Sequence, residues 1–305
     1  MKKPSLNLLL RALGTIFTFG LLLYLLSQQG WDEIWAGVRQ IPGGYFVVSA
    51  GLIMVSRVVV SLRWHTLLRS AGVQVTVWQS LKITFAGLFA SNFLPTTIGG
   101  DVVRLAMAMR AGFDKVISAA SLVVDRLVGM MGMGVTALIG LVPILQAGPL
   151  TGTGVGGMVA LPWARPWLER GKRAVGKLWQ ATGLWIRSPR GLLLAFGFTW
   201  IHQLCIFAIN WLMFRGLGEP VSFWLAGGLW SFTYFVTLIP ISINGWGLQE
   251  LSMTFLFSHF GGVSTQSAAT VALLVRTLQT LASVPGAAFL PEILSGTRAN
   301  VDKPE

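Results

Sequence analysis

Charge is scarce in this chain: Asp, Glu, Lys and Arg make up only 11% of its 305 residues, against about 25% in soluble domains. A soluble globular reading is excluded, because such a chain could not cover its surface with polar groups. Acidic residues are scarcer still, 11 against 23 Lys and Arg, for a formal net charge of +12. Cys205 is the only cysteine, which rules out an internal disulfide or a cysteine-built metal site. The three histidines, His65, His202 and His259, are scattered without metal-ligand spacing and read as packing or interfacial residues. No metal or cofactor is expected.

Apolar residues take the place of the missing charge, 53% of the chain, with a mean hydropathy of +0.67. A helix needs roughly 20 apolar residues to cross a hydrocarbon core of about 30 Å. The stretches 6–26, 45–62, 77–94, 116–145, 192–214, 221–239 and 266–290 are read as spans, the first a retained span and no cleaved signal peptide. Stretches 101–110 and 251–260 are too short to cross and are read as re-entrant half-helices; 155–161 is also too short. GTGVGG from Gly152 fits a nucleotide-loop spacing but follows a membrane helix, so it reads as a linker.

The basic excess is concentrated. Arg165, Arg170, Lys172, Arg173, Lys177, Arg187 and Arg190 share one connection, which suits a cytoplasmic loop beside anionic headgroups rather than a nucleic-acid surface. With the amino terminus inside, Arg63 and Arg69 fall in a second inner loop. Arg11, Arg57 and Lys82 are read as snorkelling anchors near the inner ends of their spans. Trp31, Trp35, Trp163, Trp167, Trp179 and Trp185 are read as interfacial anchors, and Gly129, Gly132 and Gly134 as points of close helix contact.

The chain also resembles itself. LLRSAGVQVTVWQS from Leu67 matches MFRGLGEPVSFWLA from Met213, and LPTTIGG from Leu94 matches IPISING from Ile239. A short half-helix follows each, then a span opening SAAS at Ser118 or SAAT at Ser267. Two copies with three spans each must enter the membrane from opposite sides. The expected fold is therefore an all-α integral membrane protein of about seven transmembrane helices plus two re-entrant half-helices, arranged as two inverted three-span repeats. As one membrane domain it divides into 1–44, repeat 1 over 45–145, a basic linker over 146–189, repeat 2 over 190–290, and a tail over 291–305.

Three constellations carry chemistry. In NFLPTTIGGDVVR, proline and paired glycines stop a helix at depth, and such backbone is tolerated only against protein or a water-filled cavity. Asn92, Pro95, Gly99 and Gly100 form this first break. Asp101 either caps the next half-helix or faces a ligand with Arg104 one turn on. In PISINGWGLQE, Pro240, Asn244, Gly245 and Gly247 form the second break, and Glu250 is either a cap or a buried acid lining a cavity. Asp125 and Arg126 lie about 15 Å into their span, as does Arg276 in the last one. They form a structural ion pair or an anion site at the repeat interface.

These three motifs, NFLPTTIGGDVVR, the DRLVG that begins at Asp125 and PISINGWGLQE, resemble those of the flippase-like membrane family that includes the transmembrane part of lysylphosphatidylglycerol synthase. The resemblance covers about residues 40 to 290. It implies moving or handling phospholipids across the bacterial inner membrane. It does not imply lipid aminoacylation, because the chain ends at Glu305 without the synthase's soluble transferase domain. Gln249 stands where the family more often has arginine, so no phosphate-binding role is carried onto it. The leading expectation is a flippase in which Arg104, Arg126 and Arg276 hold an anionic headgroup. Asp101, Asp125 and Glu250 then serve as acidic partners, meet a cationic headgroup, or carry a coupling proton. Alternatives are a membrane-embedded enzyme acting on a lipid-linked substrate, and a non-transporting scaffold for a lipid-modifying enzyme. Expected partners are membrane phospholipids with anionic headgroups and no nucleic acid, with a homo-oligomer or a partner enzyme left open.

Overall fold

The computed structural model describes residues 31–94, 99–146, 189–239 and 242–289, together with Gly20, Tyr24 and Trp185. Among these residues every regular element is helical: α1 (Trp31–Gln40), α2 (Gly43–Ser70), α3 (Val77–Ser91), α4 (Gly99–Arg110), α5 (Lys115–Gln146), α6 (Pro189–Gly216), α7 (Phe223–Thr237), α8 (Leu248–Phe260) and α9 (Thr265–Leu281), with 3-10 turns at Ile243–Gly245 and Val284–Phe289. Most of the expected 6–26 span, most of the basic linker, Pro95, Pro240 and the tail lie outside the described residues.

Four segments are long and apolar enough to cross a membrane: Gly43–Ser70, Lys115–Val142, Pro189–Gly216 and Thr265–Phe289. This is a multi-pass membrane protein. Helices α3 and α7 have 15 residues each, about 22 Å at helical rise, shorter than a hydrocarbon core of about 30 Å. The two half-helices are present as α4 and α8, of 12 and 13 residues.

The same local chemistry shapes both halves of the chain. Helices α2 and α6 both run 28 residues, and each is followed by a left-handed glycine, Gly72 at φ 84° and Gly218 at φ 77°. Thr76 and Ser222 then cap α3 and α7, each side-chain oxygen accepting from the backbone three residues on. Later, Asp114 accepts from Ile117 N at the start of α5, and Ser264 caps α9 in the same way.

Packing follows these elements. Helix α2 lies along α6, where Ser49, Ser56 and Ser61 face inward with Ala195, Thr199 and Gln203, all fully buried. Small side chains let backbones approach closely, which drives helix association where lipid is as apolar as leucine. Helix α5 packs on α7 at a glycine contact: a Cβ on Gly140 would come within 2.6 Å of the Gly228 carbonyl carbon. Ser231 and Thr136 hydroxyls bond at 2.6 Å one turn away. The Val284–Phe289 turn packs on α3. The largest apolar cluster joins α6, α7, α8 and α9 around Phe207, Phe214, Leu229 and Phe257.

Two sequence readings are corrected here. Trp185 is 1% exposed and donates its indole N–H to the Leu67 carbonyl at 2.9 Å, so it is a buried strut and no interfacial anchor. Arg63 belongs to no loop: α2 continues through it to Ser70, and it is buried. Ending the span at the first charge misplaced it, because that charge has a partner inside the protein.

Candidate functional site

The first break is shaped by glycine. A Cβ on Gly100 would sit 2.6 Å from the Gly87 carbonyl oxygen, so α4 can press against α3 only without side chains there. Gly99 and Gly100 therefore serve a helix contact, with Gly99 against Leu94. That approach carries Asp101, third residue of α4, and Arg104 toward α5.

A buried ionic network results. Arg63 donates from Nε to Asp125 Oδ1 at 2.7 Å and from Nη1 to Thr199 Oγ1 at 3.2 Å. Arg104 Nη1 donates to Asp125 Oδ2 at 3.3 Å and to Asp101 Oδ1 at 3.2 Å, and its guanidinium lies 4.5 Å over the Trp64 ring. Arg126 pairs with the other oxygen of Asp101. Charges at such depth persist only when paired or facing a polar cavity, since one left in hydrocarbon costs on the order of 3 kcal/mol.

The second break is closed by arginine. Asn244 (φ 48°), Gly245 (φ 71°) and Gly247 (φ 75°) reverse the chain in the left-handed region, leaving carbonyls without helical donors. Arg276 supplies those donors, from Nη2 to Gly245 O at 2.9 Å and from Nη1 to Asn244 O at 3.4 Å. Its Nε bonds Glu250 Oε1 at 2.5 Å, and its guanidinium stacks 5.2 Å from Trp246. Glu250 is the third residue of α8, as Asp101 is of α4. Each half-helix acid is thus tied to an arginine in the span that follows.

Between these clusters lies a cavity of about 250 Å³. Both breaks reach it, through Asn92 and Asn244, and its charged walls are Arg57, Arg126 and Arg276. No carboxylate is among the described residues that line it. Three buried donors in its wall have no partner, Arg57 Nε, Trp230 Nε1 and Gln249 Nε2. Buried polar atoms are normally paired, so a wall with cations and spare donors is complementary to an acceptor-rich anion.

The structure thus brings Arg126, Arg276, Asn92 and Asn244 to one space. Arg104 lies in the ionic network outside the cavity wall, as do Asp101, Asp125 and Glu250, all engaged with arginines. Gly245 and Gly247 shape the second turn without lining the cavity, and Pro95 and Pro240 lie outside the described residues.

Three wall residues escaped the sequence reading. Arg57, read as an interfacial anchor, is the 15th of 28 residues in α2 and faces the cavity, its Nη2 donating to Gln279 O at 3.4 Å. His202 also lines the cavity, its Nδ1 2.6 Å from Ser56 Oγ. Gln249, assigned no binding role, contributes a spare donor. Central position within a long span was the available signal for Arg57, and its place in the second-break motif was the signal for Gln249; nothing in the sequence marked His202.

Residues 11–286 match the family described as the lysylphosphatidylglycerol synthase TM region. The chain belongs to this family. It is also similar to a UPF0104 membrane protein of Archaeoglobus fulgidus, 23% identical over 245 residues, which is 66% of this chain and 72% of the relative. In this member of the lysylphosphatidylglycerol synthase TM family, the three motifs that carried the resemblance supply the two breaks and the ionic network beside the first.

Proposed function

We propose that this protein is a lipid flippase that moves a phospholipid or related anionic lipid between leaflets of the bacterial inner membrane. The headgroup occupies the cavity while the acyl chains stay outside it. The observation that carries this reading is the cavity wall, where, among the described residues, Arg57, Arg126 and Arg276 meet spare donors and no carboxylate. Enzymes that work on lipid-linked substrates need a reactive pair, whereas translocation needs only a polar path with groups to replace water around the headgroup. Family membership supports the lipid substrate.

Two inverted repeats, seven spans and a cytoplasmic amino terminus complete the proposal. Support comes from the matched lengths of α2 with α6 and α3 with α7, from the paired turns at Gly72 and Gly218, and from both breaks reaching one cavity. The breaks then act as opposite gates for alternating access.

Proteoliposomes carrying headgroup-labelled phosphatidylglycerol provide the test. Arg126→Ala and Arg276→Ala are each expected to slow translocation severely. Arg126→Ala is the cleaner variant, because Asp101 keeps Arg104 as a partner. Undiminished translocation in both variants refutes the headgroup site.

A further inference from the structure

Arg276 and Thr280 line two spaces at once. On one side is the cationic cavity. On the other is a pocket of about 220 Å³, walled also by Trp246, Glu250, Leu273, Thr277 and Leu281. The chemistry changes across a single guanidinium. Arg276 turns Nη2 and Nε toward Gly245 O and Glu250, and sets its face against the Trp246 ring of the apolar pocket. Leu281, at the pocket, is 60% exposed.

The geometry points to this pocket as the seat of an acyl chain whose headgroup occupies the cavity. This inference rests on the lipid-handling reading of that cavity and adds the portal through which the tail leaves it. A cavity of about 250 Å³ falls below the roughly 300–1,000 Å³ of pockets that enclose a drug-sized ligand, so it takes a headgroup and not a diacyl lipid. The tail must leave through the wall, and the adjoining apolar space opens beside Arg276 and Thr280. A free anion has no place in that space. Glu250 lines it with Oε2 unpartnered while its Oε1 accepts from Arg276, so the pair brings no net positive charge to attract an anion there. The ligand is therefore an amphiphile straddling Arg276. Lipid tails are as apolar as leucine, so the pocket adds little affinity and acts by fixing where the chain lies.

Bromine on an acyl chain quenches tryptophan on contact, and Trp246 stands in the pocket wall. Detergent-purified full-length protein is titrated with phosphatidylglycerol carrying brominated chains and, separately, with brominated diacylglycerol, which has the same chains and no phosphate. Quenching by the phospholipid is expected to exceed that by diacylglycerol, and the excess is expected to vanish in Trp246→Phe. Leu273→Phe, which keeps every tryptophan and fills the pocket, is expected to abolish the same excess. Equal quenching by the two lipids, or an excess that survives both substitutions, overturns the inference. Because the readout is equilibrium binding, excess quenching without translocation refutes the flippase reading alone. Translocation without excess quenching refutes the acyl seat alone.

Discussion

Truncating Asp125 to alanine removes a carboxylate shared by two buried arginines. The Asp125 side chain is 3% exposed, with Arg63 at 9% and Arg104 at 8%. After truncation Arg104 keeps Asp101, whereas Arg63 keeps only the Thr199 hydroxyl. One guanidinium is then buried without a counter-charge, a change that costs about 3–5 kcal/mol. At about 2 °C per kcal/mol for a chain of this size, the apparent Tm of detergent-purified protein is expected to fall by at least about 6 °C. Asp125→Asn keeps an acceptor oxygen and is expected to fall between wild type and alanine. The double variant Arg63→Met with Asp125→Ala is the sharper measurement. Replacing a whole buried pair by apolar groups is often close to neutral, so the double variant is expected to regain stability relative to Asp125→Ala alone. An unchanged Tm for Asp125→Ala, or a double variant no more stable than the single, refutes the account of this network as mutually compensating charge.

Three further outcomes follow from the geometry. Arg57→Gln is expected to slow lipid translocation about tenfold or more while shifting Tm by no more than about 2 °C, since among the described residues the charge has no acidic partner to orphan and its lost bond is a long one to Gln279 O. Gly140→Ala places a Cβ against the Gly228 backbone and is expected to cost about 1–3 kcal/mol in thermal unfolding by forcing α5 from α7. Single cysteines at Gln74, Arg190 and Pro220, all exposed, test the inversion over a background of one buried thiol, Cys205. A membrane-impermeant thiol reagent is expected to reach Gln74→Cys and Arg190→Cys from the cytoplasmic side and Pro220→Cys from the other; labelling of all three from one side refutes the inverted arrangement.

Much of the fold is legible in the sequence because lipid as solvent forces helices and restricts their length. The half-helices stood out as apolar runs too short to cross, and the two breaks stood out through proline and glycine where backbone donors must be lost. The site was legible only in part. Depth from the span ends identified Arg126 and Arg276, but depth does not tell which way a side chain points. Arg104 lies as near the break as its motif suggests, yet Trp64 covers it and two aspartates engage it, a consequence of how α4 rotates against α3 at Gly87 and Gly100. Arg57 was misread for the opposite reason. Reading charges as span ends stops α2 before Arg63 and puts Arg57 at its edge. In the fold α2 runs on to Ser70, which moves Arg57 to its middle.

Four arginines of the centre are paired with acids. Arg63, Arg104, Arg126 and Arg276 are tied to carboxylates, and Arg276 also to the carbonyls of the second break. Charges fixed in this way do not travel through the electric field of the membrane, so under the proposed flippase function the charge that moves is the lipid's own. Each elementary charge crossing the membrane is worth about 2.3 kcal/mol per 100 mV. In an inside-negative cell, an anionic headgroup therefore runs downhill toward the outer leaflet and uphill on the return, while a zwitterion is indifferent. An imposed potassium diffusion potential thus makes the protein a voltmeter for its own substrate, since the voltage dependence of translocation reads out the net charge in transit.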